Sequence, residues 1–188
     1  MKLLIVGPNA VGKTSLAKMF LQEGGYECFK VFYDLGKSYC VTIGGSWVLF
    51  GTYEKDKKFC GVDSESGDIT KKLAHFVKKF SGRNLLVEGL IIAYPNITRV
   101  LGLGASDLVV LLVLEKSLVL ERLRERTKNF RIRALSDKYS SIRSLYQFCL
   151  RTGLNCLWIT EEMPSAKLYD LICAELLALS QGRKRLDK

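Results

Sequence analysis

The chain has 188 residues, 48% hydrophobic and 26% charged, which suits one globular domain with a real core. Six cysteines with no Cys-x-x-Cys spacing and one histidine, His75, argue against a zinc centre and against a disulfide framework, and read as buried thiols. The net charge of +10 favours a polyanionic partner. The longest apolar run, Leu108 to Leu114, falls far short of the ~20 residues of a membrane span, so a cytoplasmic protein with no membrane partner is expected.

The first element is an apolar strand over Leu3 to Val6, followed at once by Gly7-Pro8-Asn9-Ala10-Val11-Gly12-Lys13-Thr14 and a helix carrying Leu16, Ala17, Phe20 and Leu21. This satisfies G-x-x-x-x-G-K-[ST] in its strand–loop–helix context. Glycines at 7 and 12 bring backbone N–H groups close to a phosphate chain. Lys13 supplies a point charge for the β- and γ-phosphates, and the Thr14 hydroxyl is a ligand for Mg²⁺, with Ser15 behind it. The cofactors expected are therefore ATP, or GTP, and Mg²⁺.

Further along, Cys28 to Tyr33 reads as a strand ending at Asp34. Ser38 to Ile43 and Trp47 to Tyr53 form a small antiparallel insertion within residues 40–62. A helix is expected over Ile69 to Phe80, a strand over Asn84 to Glu88, and a short helix after Pro95. Asp107 to Leu114 is a core strand, apolar on both faces. Ser117 starts a helix to about Arg126, Thr127 to Ser136 is polar and poorly periodic, and Lys138 to Thr152 is helical. A last strand over Asn155 to Ile159 and a helix from Pro164 to about Leu179 complete one domain over residues 1–182, with 183–188 as a basic tail. Strands alternating with helices predict an α/β P-loop NTPase-type fold: a parallel sheet with helices on both faces, the antiparallel insertion and an Arg-rich helical lid over 121–136. The site belongs at the carboxyl ends of the strands.

A P-loop specifies a nucleotide phosphate, not a reaction. No N-K-x-D guanine-reading element is present, and the Leu108–Leu114 strand ends in Glu115-Lys116, a poor Walker B match, which disfavours switches and motors. A small phosphotransferase needs a basic lid and a carboxylate for the acceptor proton. From Glu121 to Arg151 there are nine basic residues against three acidic. Within them Arg122, Arg126, Arg131 and Arg133 are candidate phosphate contacts, with Arg124 beside them, since Arg meets phosphoryl oxygens bidentately. Asp63, Asp34 and Glu88 each end a strand or follow one. Asp63 is the first choice as base, and Glu88 suits metal-bound water or substrate.

Trp47-Val-Leu-Phe-Gly-Thr-Tyr53, Phe59-Cys-Gly-Val-Asp63-Ser64, Leu85-Leu-Val-Glu-Gly89 and Glu121-Arg-Leu-Arg-Glu-Arg-Thr-Lys-Asn129 follow the P-loop in order. Over roughly residues 1–135 this series resembles the bacteriophage P-loop kinases that act on 5-hydroxymethyluracil in DNA. The resemblance implies transfer of the γ-phosphoryl group of ATP to the base hydroxymethyl group, with DNA containing 5-hydroxymethyluracil as partner, a place in thymine hypermodification and, for a phage protein, the host cytoplasm. A polymeric substrate would use the positive charge, exposed Trp47, Tyr53 or Tyr94 would stack on a base, and a base in duplex would have to flip out; for Trp47 and Tyr53, packing in the core or subsheet is the commoner role. Two other readings stay open: a kinase of a free nucleoside, nucleotide or other small metabolite, and a non-catalytic nucleotide-binding module.

Overall fold

In the computed structural model, which describes residues 1–21, 25–34, 36–53, 60–90, 95–126 and 132–182, strands and helices alternate along the chain. They are β1 (Lys2–Val6), α1 (Lys13–Met19), β2 (Tyr26–Asp34), β3 (Lys37–Gly44), β4 (Trp47–Phe50), a 3₁₀ turn (Gly61–Ser64), α2 (Ile69–Lys79), β5 (Asn84–Glu88), α3 (Pro95–Leu101), β6 (Leu108–Leu112), α4 (Lys116–Arg126), α5 (Ile132–Thr152), β7 (Asn155–Ile159) and α6 (Ser165–Ser180).

The strands form a single sheet in the order β2-β3-β4-β5-β1-β6-β7. From β4 to β7 across the sheet every pairing is parallel, whereas β3 runs antiparallel to both of its neighbours. Parallel strands need covering on both faces, which is why β1 and β6 are continuous apolar runs. Alternate side chains of β1 feed two separate cores. Leu3 and Ile5 pack with Leu16 and Ala17 of α1, Val119 and Leu123 of α4, and Ile172 and Leu176 of α6. Leu4 and Val6 pack with Leu73 and Phe76 of α2, Ile97 and Leu101 of α3, and Ile142 and Leu145 of α5. Helices thus cover both faces, as the alternation in the sequence predicts.

Two local readings change. The hairpin expected as an insertion beside the sheet is stitched into it. All four residues of β4 are buried, and β4 lies parallel against β5 with Val48 opposite Leu85. The antiparallel part is β2 and β3, a flank that begins at Tyr26. The stretch 127–136, poorly periodic in sequence within the expected helical lid, is helical from Ile132 onward, as part of the long helix α5. Residues 127–131 lie outside the described residues.

Phe76 makes the α2 face of the core specific. Its ring meets those of Phe50 at 5.3 Å, Phe80 at 5.4 Å and Tyr39 at 6.3 Å. Truncating it leaves a void that these rings cannot collapse into. Phe76→Ala is expected to cost about 3–5 kcal/mol in urea unfolding. Phe32→Ala, at a ring 68% exposed on the open edge of β2, should change stability by no more than about 0.5 kcal/mol. Equal losses at the two positions would refute this account of the core.

Candidate active site

The site grows from the register of two neighbouring strands. Ile5 of β1 lies opposite Glu88 of β5, and the Gly89 N–H donates to the Ile5 carbonyl at 3.1 Å, so both strands end together. The chain leaves β1 into Gly7–Thr14. Gly12, with φ of 92°, takes the left-handed turn into α1 that a Cβ would strain. Lys13 is 6% exposed and folds back so that its ammonium donates to the Pro8 carbonyl at 2.8 Å. The Thr14 hydroxyl donates to Glu88 Oε1 at 2.9 Å.

Glu88 is 1% exposed. Burial pushes its carboxyl up to about 7. The charge of Lys13 and the hydrogen bond from Thr14 oppose that rise, and the charge of Asp63 adds to it. The three form one electrostatic unit. Asp63 itself is exposed, in the 3₁₀ turn.

Two glycines let that turn come down onto Glu88. A Cβ on Gly61 would lie 2.7 Å from Glu88 Cγ and Oε1, and one on Gly51 would lie 2.1 Å from the Gly61 carbonyl oxygen. Both contacts are tighter than atoms tolerate, so the Gly51-Thr52-Tyr53 and Gly61-Val62-Asp63 elements stack on the carboxylate only because neither glycine has a side chain. Tyr53 ends the first element. It is fully buried, and its hydroxyl has no hydrogen-bond partner among the described residues. A buried orphan of this kind costs on the order of 1–3 kcal/mol. Burial, then the charges of Glu88, Cys60 and Asp63, push the phenol well above its ordinary range.

The structure therefore brings together Lys13, Thr14, Glu88 and Asp63. Arg122 joins them from α4: one guanidinium nitrogen donates to the Ala10 carbonyl at 3.4 Å, and another pairs with Glu162 before α6. Glu162 carried no signal in the sequence. Asn9 and Thr14 are half-buried and Ser15 is exposed on α1. Arg126 lies at the end of α4, and its side chain, like those of Arg131 and Arg133, is outside the described residues, as is Tyr94.

Asp34 is a correction. It does end a strand, but β3 and β4 stand between β2 and β5, about 14 Å at the usual strand spacing. Its carboxylate pairs with Lys37 at 3.1 Å on the same hairpin. Of the two readings of the aromatics, packing is the one seen: Trp47 is 9% exposed and packs edge-on against Phe20 at 5.1 Å, and Tyr53 is sealed, so neither offers a face for stacking.

The donor set fits Mg²⁺. Thr14 and Glu88 put a hydroxyl and a carboxylate, both hard oxygen donors, within 2.9 Å of each other, and Mg²⁺ usually takes one or two such groups alongside phosphate oxygens and water. A buried carboxyl held near neutrality is also the group a cation would relieve.

No family model and no curated protein matches the sequence. Among solved structures, the YorR protein of Bacillus subtilis, in complex with phosphorylated GDP, superposes with a TM-score of 0.58 at 14% identity, covering 98% of this chain and 100% of that one. The deoxyadenosine kinase of M. mycoides with bound dCTP gives 0.44 at 13% identity, over 95% and 100%. The YorR likeness supports the α/β P-loop fold of this chain.

Glu88 makes a stability prediction. Its ordinary value of 4.5 applies to the unfolded chain and about 7 to the folded one. As pH rises between them, the unfolded state gives up its proton first, so stability falls through this window and levels off above it. Glu88→Gln removes that penalty. Without nucleotide, the variant should gain on the wild type by about 1–3 kcal/mol between pH 4.5 and 8. A difference that does not vary with pH would refute the burial account.

Proposed function

We propose that this chain is a P-loop phosphotransferase that moves the γ-phosphoryl group of ATP to an alcohol, and that the alcohol is the hydroxymethyl group of 5-hydroxymethyluracil in DNA. The observation that carries the phosphotransferase reading is the pairing of one sealed and one exposed carboxylate beside the P-loop lysine. Their exposure supports a division of roles. Glu88 is buried under Gly61 and bonded to Thr14, so an acceptor cannot reach it. Asp63 stands exposed above it, where an acceptor hydroxyl can.

Lys13 is held on the Pro8 carbonyl in the free chain and is placed to exchange that contact for the β- and γ-phosphates. Bound Mg²⁺, held by Thr14 with Glu88 beside it, supplies charge neutralisation on the transferred phosphoryl group. Asp63 accepts the proton of the acceptor hydroxyl as its oxygen bonds to the γ-phosphorus and the bond to the ADP oxygen breaks. Arg122 orients the loop by holding the Ala10 carbonyl. Arg126, Arg131 and Arg133 belong to the segment assigned to the lid.

The polymeric acceptor rests on the resemblance to the phage DNA kinases and on the net charge of +10, more than a single nucleotide needs. A free nucleotide is the second reading, favoured by the phosphorylated GDP in the YorR complex.

Transfer from labelled ATP separates them. The oligonucleotide containing 5-hydroxymethyluracil should be labelled, its thymine counterpart should not, and added salt should inhibit steeply. Labelling of mononucleosides or mononucleotides without the polymer replaces the acceptor by the second reading. Nucleotide binding with no transfer to any of them refutes the enzyme. Lys13→Ala should abolish transfer. Asp63→Asn should lower kcat by about 10²–10⁴-fold with nucleotide affinity nearly unchanged, and full activity in that variant would remove Asp63 as the base.

A further inference from the structure

Tyr53 is a group at the site whose chemistry the proposed function leaves unused. Its ring belongs to the core with Leu49, Leu86 and Cys60, and phenylalanine would fill that place equally well. The hydroxyl adds no packing and has no hydrogen-bond partner among the described residues. It is nonetheless surrounded by the site. The charges that act on it are those of Glu88, Cys60 and Asp63.

Three observations narrow what the hydroxyl is for. It is sealed from solvent, so an acceptor molecule cannot be its partner directly. Asp63 is exposed, and water competes for its oxygens. Glu88 is as sealed as Tyr53, and a carboxylate accepts more hydrogen bonds than the one described for it, from Thr14 to Oε1. The two groups are also held in one packed unit, since Gly51, two residues before Tyr53, touches Gly61, and Gly61 touches Glu88.

We infer that Tyr53 is a positioning residue for Glu88: its buried hydroxyl is the donor that holds the carboxylate when nucleotide phosphates and Mg²⁺ occupy the P-loop. Thr14 then holds the carboxylate from one side and Tyr53 from the other, which sets its rotamer toward the cation. This inference rests on the nucleotide site of the proposed function, but not on its acceptor.

The test is Tyr53→Phe, read by thermal unfolding with and without ADP and Mg²⁺. Without ligand the variant should melt higher than wild type by about 2–4 °C, because an orphan hydroxyl is gone. With ADP, the Mg²⁺ concentration giving half of the ligand-induced stabilisation should rise roughly tenfold, the scale of lost outer-shell support at a metal site. In a Glu88→Gln background the same substitution should leave the Mg²⁺ dependence unchanged. A free variant that melts lower than wild type would mean the hydroxyl already has a partner, and overturns the inference. So does an unaltered Mg²⁺ dependence, or an effect that persists in full beside Glu88→Gln. No acceptor is present in these measurements. A wild type that binds Mg²⁺ and ADP normally yet phosphorylates nothing therefore overturns the proposed activity alone, whereas absence of nucleotide binding overturns both.

Discussion

Ile5 and Glu88 face each other across the β1–β5 pairing, and the site depends on that register. β1 delivers the chain into the P-loop and β5 delivers a carboxylate to the same height. A slip of one residue would send Glu88 to the opposite face of the sheet. The register is held by what surrounds it. β1 is apolar on both faces and buried between β5 and β6, so it has no alternative alignment that keeps both cores filled. The stability of the two cores is thus what fixes the distance between Thr14 and Glu88.

Against that rigid frame the site stores unfavourable electrostatics. A carboxylate is kept 1% exposed beside the negative charge of Asp63, with one buried lysine and one hydroxyl to compensate. A phenol is buried in the same unit with no hydrogen-bond partner among the described residues. In a purely structural domain these groups would be replaced by apolar side chains of the same shape, at a gain in stability. Their grouping at the carboxyl ends of β1 and β5, under two glycines that admit no other residue, is the signature of groups arranged for a ligand that brings its own charge.

The sequence makes most of this legible, for identifiable reasons. The P-loop is contiguous, so its motif carries the site with it. β1, β5 and β6 are buried on both faces, so their apolar runs mark them, and Glu88 is visible as the acid ending one of them. Asp34 meets the same criterion and fails, because strand ends do not say which strand lies at the edge of the sheet. That is set by the β2–β3 and β3–β4 pairings, which no local pattern records. Arg122 and Ala10 are 112 residues apart, and the sequence can propose the arginine but not its contact. Tyr53 reads as an exposed aromatic or a core residue. Its sealed hydroxyl is a property of tertiary packing, which no local pattern records.

Under the proposed function, the contrast between the two carboxylates would let one P-loop site serve two kinds of reaction partner. Phosphates and Mg²⁺ need fixed charges at fixed distances, and the strands supply these through Lys13, Thr14 and Glu88, all anchored at the end of β1 or β5. An acceptor must enter, be deprotonated and leave, so its carboxylate has to be reachable, and Asp63 sits in a short turn that the sheet supports without enclosing. The glycine contacts join the two requirements. Gly61 presses on Glu88 while Asp63, two residues on, stays in solvent. In the proposed reaction, an alcohol at Asp63 would thereby be placed at a fixed position relative to Glu88 at the phosphate end. On the proposed function, the choice of acceptor would belong to the segments around Asp63, and the phosphoryl chemistry to the ends of β1 and β5.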